Sequence, residues 1–348
     1  MVLRPRPSLR DHGTLPGAAS AAPIATVPAW LRRAIPDAQS LAGKGVGPNA
    51  LGPNALEDIA IAAGAAIGAL DAVVRRQEKW AGAWRQRLAL SAAAVTAKQA
   101  GRVEDEAALR DAVLLTRPGD NVGPAGRMLV AWRRLATRPS EDLLTRKSLG
   151  AVLDEFGHML EDDALDDLAG ELRQLSAGGT VGMVVGAFTA AERYGFGRAL
   201  GAWLADALLA QRLGWTHAVP LLGAEGTLAV GSARTHRSAT VFPTAGIETD
   251  PERAKNLLAA QARAALRAID FSAELSRRAD RLLAVAPKLR AKAADTVVEK
   301  LLSDDAIVAS EKIAGISDRG LRRLFDRLVE LGAVRELSGR PTFRIYGL

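Results

Sequence analysis

The sequence contains no cysteine and few aromatic residues. The absence of cysteine from all 348 residues excludes disulfides and thiolate metal sites. Aromatic side chains make up only 4% of the chain, while Ala and Leu, which are strong helix formers, dominate it. The longest apolar run, at about 178–191, is shorter than the roughly 20 residues that a membrane span needs. The sequence therefore predicts a soluble, cytoplasmic, almost entirely helical protein that makes no contact with a membrane.

The charge balance is basic, with 46 Lys and Arg against 39 Asp and Glu, a net charge of +7 and a pI near 10.0. A basic protein suits an anionic partner such as nucleic acid. The same balance can also reflect the codon usage of a genome that favours Arg, Ala and Gly. Arg4, Arg6 and Arg10 near the N-terminus are not followed by an apolar segment, so no secretory signal is predicted.

Three regions follow one another along the chain. Residues 1–53 are rich in Pro, Gly, Ala and Ser without an apolar period, which predicts a disordered arm. Residues 54–286 predict a helical domain that begins at a cap on Asn54. Its predicted helices cover 54–77, 83–100, 104–115, 124–136, a segment capped by Ser140, 164–176, one or two helices in 180–213, and a long helix from the cap Asp250 to before Pro287. Residues 214–249 are predicted to be a long loop.

The last region, residues 287–348, has the order of a winged helix-turn-helix. Helices are predicted at 293–302, at 305–314 and from the cap Ser317 to Gly332. Two β-prone runs, 334–337 and 342–346, follow and are joined by a turn of hairpin composition. We therefore predict an all-α protein, in which a helical-bundle body is followed by a C-terminal winged helix-turn-helix with a small β-hairpin wing.

The third tail helix has an apolar stripe and an opposite face that is basic. The arginines predicted to contact duplex DNA lie on that face and on the wing: Arg319, Arg322, Arg323, Arg327, Arg340 and Arg344. Asp318, Asp326 and Glu330 lie among these arginines and can pair with them, which would weaken the field. Such modules also serve protein contact or dimerisation, so a homo-oligomer is the open alternative.

Two stretches of the chain resemble an uncharacterised bacterial family, domain of unknown function 1403. They are EDEAALRDAVLLTRPGDNVGPAGRMLVAWRRL at 104–135 and SDRGLRRLFDRLVELGAVRELSGRPTFRIYGL at 317–348. The resemblance covers roughly residue 54 to the end and leaves the arm out. It agrees with the division into body and tail and implies no activity.

A nine-residue segment, AAERYGFGR at 190–198, is similar in spacing to the signature of Fic-domain AMP-transferring enzymes. That signature is His-Pro-Phe, two residues, then Gly-Asn-Gly-Arg. Gly195, Gly197 and Arg198 match it, but Ala190 replaces the catalytic His and Phe196 replaces the Asn. The resemblance implies a catalytically inactive scaffold that acts through protein-protein contacts, in which this turn could hold an anion at a helix start. The alternative is a plain glycine turn between buried helices.

No catalytic residue, cofactor or metal site is predicted elsewhere. Glu155 and His158 have the spacing used in di-iron bundles, but no second pair of this kind exists, so a solvated acidic face is the better interpretation. One further hypothesis is an enzyme site in the irregular region 214–249. Its candidate residues are Glu225, Arg234, His236 and Arg237.

Overall fold

The protein is mostly helical, as the composition predicts. The computed structural model describes residues 27–36, 56–117, 119–226, 250–289, 293–340 and 342–348. The helices described before the tail are α1 (Ala29–Ala34), α2 (Leu56–Arg75), α3 (Ala81–Gln99), α4 (Glu106–Leu114), α5 (Gly123–Thr137), α6 (Arg146–Glu155), α7 (Asp162–Ala177), α8 (Thr180–Arg193), α9 (Arg198–Leu213) and α10 (Pro251–Val285). The tail contains α11 (Ala294–Ser303), β1 (Ile307–Val308), α12 (Asp318–Glu330), β2 (Arg335–Glu336) and β3 (Ile345–Gly347).

Local capping signals place several helix ends correctly. The Asp250 carboxylate accepts a 3.0 Å hydrogen bond from the Glu252 amide, and Pro251 occupies the first helical position. The Ser317 hydroxyl likewise accepts from the Gly320 amide at 3.2 Å. Both predicted caps are confirmed. The predicted cap at Asn54 lies outside the described residues.

The predicted arm contains a helix that the sequence pattern did not indicate. Helix α1 lies within residues 1–53, where no regular structure was expected. Leu31 is buried against the core, and Arg32 forms a 2.6 Å ion pair with Asp270 of α10. This six-residue helix is too short to show an apolar period and is too short to be stable alone. Contacts with the body hold it, which is why the local prediction was wrong there.

Two further helix predictions are corrected. Ser140 begins a short 3₁₀ turn, and its hydroxyl donates a hydrogen bond to the Trp215 carbonyl instead of capping a helix. Helix α6 begins after Thr145, whose hydroxyl accepts from the Ser148 amide. The helix predicted at 305–314 is absent because the β-branched pair Ile307–Val308 joins a sheet instead.

The core of the body is built from helices packed in pairs. Helix α2 packs along α10, α3 along α5, and α8 along α9. Three tryptophans are almost fully buried, and their indole nitrogens donate within the core. The donors and acceptors are Trp84 to the Ala268 carbonyl, Trp132 to the Thr96 hydroxyl and Trp203 to the Ala131 carbonyl. Among the described helices, none is both long and apolar enough to cross a membrane.

The tail sheet has the strand order β1-β3-β2, and both pairings are antiparallel. Tyr346 on the central strand stacks on Phe325 of α12, with ring centroids 4.4 Å apart and planes 7° from parallel. Both rings are buried, so α12 is fixed to the face of this sheet. The tail core is continuous with the core of the body.

Candidate nucleic-acid interface

Helix α12 separates an apolar face from a basic face. The apolar face is buried and consists of Leu321, Leu324, Phe325 and Leu328. The opposite face exposes the four arginines that the sequence singled out: Arg319, Arg322, Arg323 and Arg327. Because Ser317 caps the helix start and Gly332 ends it with a φ of 64°, the exposed face is a short, rigid platform.

The six predicted arginines differ in whether they are already paired. Arg319, Arg322 and Arg323 form no ion pair within the described part of the chain. Arg327 contacts Glu330 at 2.6 Å, and Asp318 is held by Lys312 at 2.8 Å. Three exposed guanidinium groups on one helix therefore remain open to an anionic partner.

The wing arginines have other surroundings. Arg340 contacts Asp111 of α4 at 2.6 Å, so it ties the hairpin to the body. Arg344 lies 3.8 Å from both Asp326 and Glu336. The hydrogen bond with the Tyr346 hydroxyl is the main cause that raises the pKa of Arg344, and the neighbouring carboxylates raise it further. Arg344 therefore stays cationic. Arg344 is the wing arginine that is better placed to meet an external ligand.

A recess of about 420 Å³ lies between α12 and the hairpin. Arg322 from the helix and Arg344 from the hairpin both line it, so the structure brings together two residues that the sequence predicted for the same interface. Phe343 lines it as well; its side chain is 67% exposed and its φ is +57°, a conformation that few residues other than glycine adopt. Sequence reasoning missed Phe343, for which the available signal was an aromatic residue in the otherwise largely polar turn at 338–344.

A buried carboxylate anchors the tail to the body. Asp305 lies between α11 and β1, and its side chain is fully buried. Nε of Arg87 on α3 contacts it at 2.9 Å, Nε of Arg110 on α4 at 2.7 Å, and a terminal nitrogen of Arg133 on α5 at 3.5 Å. Gly347 lies directly beside this cluster, because a Cβ there would stand 2.7 Å from the Asp305 carbonyl oxygen.

The electrostatics of this anchor favour the charged carboxylate. Burial by itself would raise the pKa of Asp305, but the hydrogen bond and charge of Arg110, with the charges of Arg87 and Arg133, outweigh it and lower the pKa. Three cations surround one anion, so the cluster has an excess of positive charge. Burial lowers the pKa of Arg133. The attraction of Asp305 opposes this effect, and repulsion from Arg110 adds to it.

The Fic-like segment forms a turn between two helices. Gly195 has a φ of 72°, and Gly197 stands at the N-cap of α9 without a side-chain cap. Two guanidinium nitrogens of Arg198 are buried and have no hydrogen-bond partner in the described part of the chain. Glu192 lies nearby and is held by Arg253 at 2.8 Å. Ala190, at the position of the catalytic His, is completely buried.

The other predicted chemistry does not converge. Glu155 is largely buried and pairs with Arg134 instead of facing solvent, and the ring of His158 lies 4.8 Å from that of Phe196. Glu225 is buried, and its carboxylate already forms ion pairs with arginines of α10. Its proposed partners Arg234, His236 and Arg237 lie outside the described residues. Over the described ranges, no three His, Asp or Glu side chains are grouped so that they could hold a metal ion.

Comparison with known families bears on the chain from residue 21 onward. A family described as "protein of unknown function (DUF1403)" matches residues 21–348. The chain belongs to this family. The DUF1403 match begins at residue 21 and not near residue 54, and it includes helix α1, so the expectation that the resemblance leaves the arm out was wrong. Comparisons with curated proteins and with solved structures gave no match.

Proposed function

We propose that this DUF1403 protein binds duplex DNA through α12 and the adjoining hairpin. The single observation that carries the proposal is the basic face of α12. There, Arg319, Arg322 and Arg323 are exposed and form no ion pair within the described residues, on a helix whose other face is buried. Guanidinium groups presented by a helix suit both phosphates and guanine edges.

The order of the tail elements supports a winged-helix arrangement, with one departure. Helix α11, strand β1, helix α12 and a hairpin follow one another, and the strand order is β1-β3-β2. The segment between β1 and α12 contains no helix. The sheet, and not a preceding helix, would therefore present α12 to a major groove, while Arg344 and Phe343 contact the adjoining backbone or sugar.

We place the boundary between the body and the tail at residue 287, and ion pairs cross this boundary. Because Asp305 is buried among three arginines of the body, the tail would be held rigidly against residues 54–286 and not tethered by a linker. A duplex would thus meet a fixed surface, and binding would not require the ordering of a free domain.

Fluorescence anisotropy with a labelled duplex of random sequence, measured across a salt series, tests the proposal. With four arginines on phosphates, we expect log affinity to fall with log salt at a slope of about −3.6. The DNA proposal is wrong if the full chain shows no binding tighter than about 10 μM at low salt, because non-specific DNA binders usually do better there.

The second candidate is a catalytically inactive Fic-like scaffold that acts through protein-protein contacts. It is favoured by Arg198, which stands at the start of α9 with two buried nitrogens that lack a partner in the described chain. Buried Ala190 supplies no base to deprotonate an attacking hydroxyl. We therefore expect no AMP transfer from labelled ATP to the protein or to a bacterial lysate. Labelling that Arg198→Ala abolishes would contradict the inactive assignment.

A further inference from the structure

Two adjoining cavities lie where α10 meets the tail. The larger measures about 740 Å³ and the smaller about 640 Å³. Glu274, Arg277, Arg278 and Arg335 line both, so these four residues form a common wall. We call the two cavities together the basic cleft. Each has the size of a small-molecule site.

Arginine dominates the lining of the larger cavity. Its six arginines come from α3, α4, α10 and β2: Arg87, Arg110, Arg267, Arg277, Arg278 and Arg335. Three carboxylates line it as well, and two of them are already paired, Asp270 with Arg32 and Glu274 with Arg278. The third, Glu106, forms no ion pair in the described part of the chain. Arg87 and Arg110 are themselves paired with Asp305, Arg267 with Glu225 and Arg278 with Glu274. Within the described residues, the unpaired cations of the lining are therefore Arg277 and Arg335.

The arginines of the basic cleft differ in how deeply their side chains are buried. The side chains of Arg87 and Arg110 are each only 10% exposed and are fixed at the base by Asp305. Arg277 and Arg335 are exposed at the wall and form no ion pair within the described residues. A ligand would meet two rigid guanidinium groups at the base and two adaptable ones at the rim.

The guanidinium groups are close enough to repel one another. Burial lowers the pKa of Arg278, and repulsion from Arg335 and, less strongly, from Arg281 lowers it further. Burial also lowers the pKa of Arg87; Asp305 opposes this, while Arg110 and Arg278 add to it. A multiply charged anion would relieve this repulsion at several groups at once.

We propose that the basic cleft binds a nucleotide-sized small molecule that carries two or more phosphates. Arginine forks match phosphate oxygens in pairs, and several of them converge here. Phe271, Leu88 and Leu337 also line the larger cavity and offer apolar surface to the rest of the molecule. A recess of this size excludes a duplex, which needs an open face, so the proposal does not depend on DNA binding by α12.

The basic cleft joins the body to the tail. Arg277 and Arg278 belong to α10, whereas Arg335 belongs to β2 and so to the sheet that carries α12. A phosphate held between them would add contacts across the body–tail junction. Bound ligand should therefore raise the melting temperature of the full chain.

The test is isothermal titration calorimetry on the full chain with tripolyphosphate, pyrophosphate, ATP and GTP, at low ionic strength. The test variant is Arg277→Gln/Arg335→Gln, since both side chains are exposed and unpaired in the described structure and folding should survive. The matched control is Lys147→Gln/Arg173→Gln, which removes the same charge from exposed positions on α6 and α7. Circular dichroism checks that all three proteins are folded.

We expect wild type and control to bind tripolyphosphate equally, and the test variant to bind at least about tenfold more weakly, since a charge-assisted contact is typically worth that much. If ATP or GTP binds more tightly than tripolyphosphate, the ligand that supplies the phosphates is a nucleotide. If the affinities are equal, the basic cleft recognises the polyphosphate group alone. Absence of binding to every probe at about 1 mM would overturn the proposal. So would an unchanged affinity in the test variant.

Discussion

The carboxylate of Asp305 accepts a 2.7 Å hydrogen bond from Nε of Arg110, although 195 residues separate the two in sequence. Arg110 belongs to α4 of the body, whereas Asp305 precedes the first strand of the tail sheet. Arg87 donates both to the same carboxylate and to the Asp305 carbonyl oxygen. This contact fixes the position from which β1, and through the sheet α12, extends.

Replacing Asp305 with Asn should strongly destabilise the folded chain. The change keeps the shape of the side chain but leaves the guanidinium groups of Arg87, Arg110 and Arg133 buried without a counter-ion. Loss of one partner from a buried ion pair costs about 3–5 kcal/mol. Urea unfolding measures the effect. Asp326→Asn serves as the control, because this exposed carboxylate has only a 3.8 Å contact and should change stability by less than about 0.5 kcal/mol. Equal effects of the two changes would contradict the role of Asp305.

The contribution of Asp305 should depend on pH in a defined direction. Its pKa in the folded chain is lowered from 3.8, so the stabilisation is complete above that value and is lost as pH falls through the folded pKa. The difference in unfolding free energy between wild type and Asp305→Asn should be the same at about pH 7 and about pH 5, and should shrink below 3.8. If this free-energy difference already shrinks as the pH falls from about 7 to about 5, desolvation prevails and the pKa of Asp305 is raised instead.

The start of α3 packs too closely on the end of α11 to admit a side chain at Gly82. A Cβ there would lie 2.4 Å from the Ser303 carbonyl oxygen. Gly82→Ala should therefore destabilise the protein by about 1–3 kcal/mol, although Ala is the better helix former. Gly64→Ala in α2 is the control, since its Cβ would meet nothing within 4 Å and should stabilise by about 0.5–1 kcal/mol. Thermal unfolding of both variants decides; a rise in melting temperature for Gly82→Ala would exclude the close contact.

The sequence predicts those features of the fold that local interactions determine. The caps Asp250 and Ser317 can be predicted because each side chain accepts a hydrogen bond from a backbone amide only two or three residues away. The apolar stripe of α12 is legible because it repeats at the helical period. Ser140 misled because its hydroxyl bonds the distant Trp215 carbonyl, a contact that no local pattern encodes.

The parts that the sequence misses depend on partners that are far apart along the chain. Helix α1 is held by contacts with helices of the body, and Ile307–Val308 forms a strand only because β3 lies beside it. The pairing of Arg340 with Asp111 likewise could not be foreseen, so Arg340 was grouped with the DNA-contacting arginines. The arginines that converge on Asp305 come from three helices, and those that line the basic cleft come from four elements, so their approach is a property of the packed fold.

The decisive variant for DNA binding removes Arg322 and Arg323 together. Both are exposed on α12, opposite the buried residues Leu321 and Leu324, and neither forms an ion pair in the described part of the chain, so Arg322→Ala/Arg323→Ala should fold. Each phosphate contact contributes about 0.9 to the slope of log affinity against log salt, so the slope should flatten by up to about two units.

The matched control for this variant is Lys147→Ala/Arg173→Ala, which lowers the net charge equally but leaves α12 intact. Anisotropy on the same random duplex, across one salt series, compares all three proteins. If the slope changes equally in both variants, the loss reflects net charge alone. If the α12 variant binds as wild type does, the footprint lies elsewhere, and the exposed face of α12 would then have to serve a protein partner. Only a selective flattening in the α12 variant supports contact between this helix and the phosphate backbone, because only there do the removed charges lie within the proposed interface.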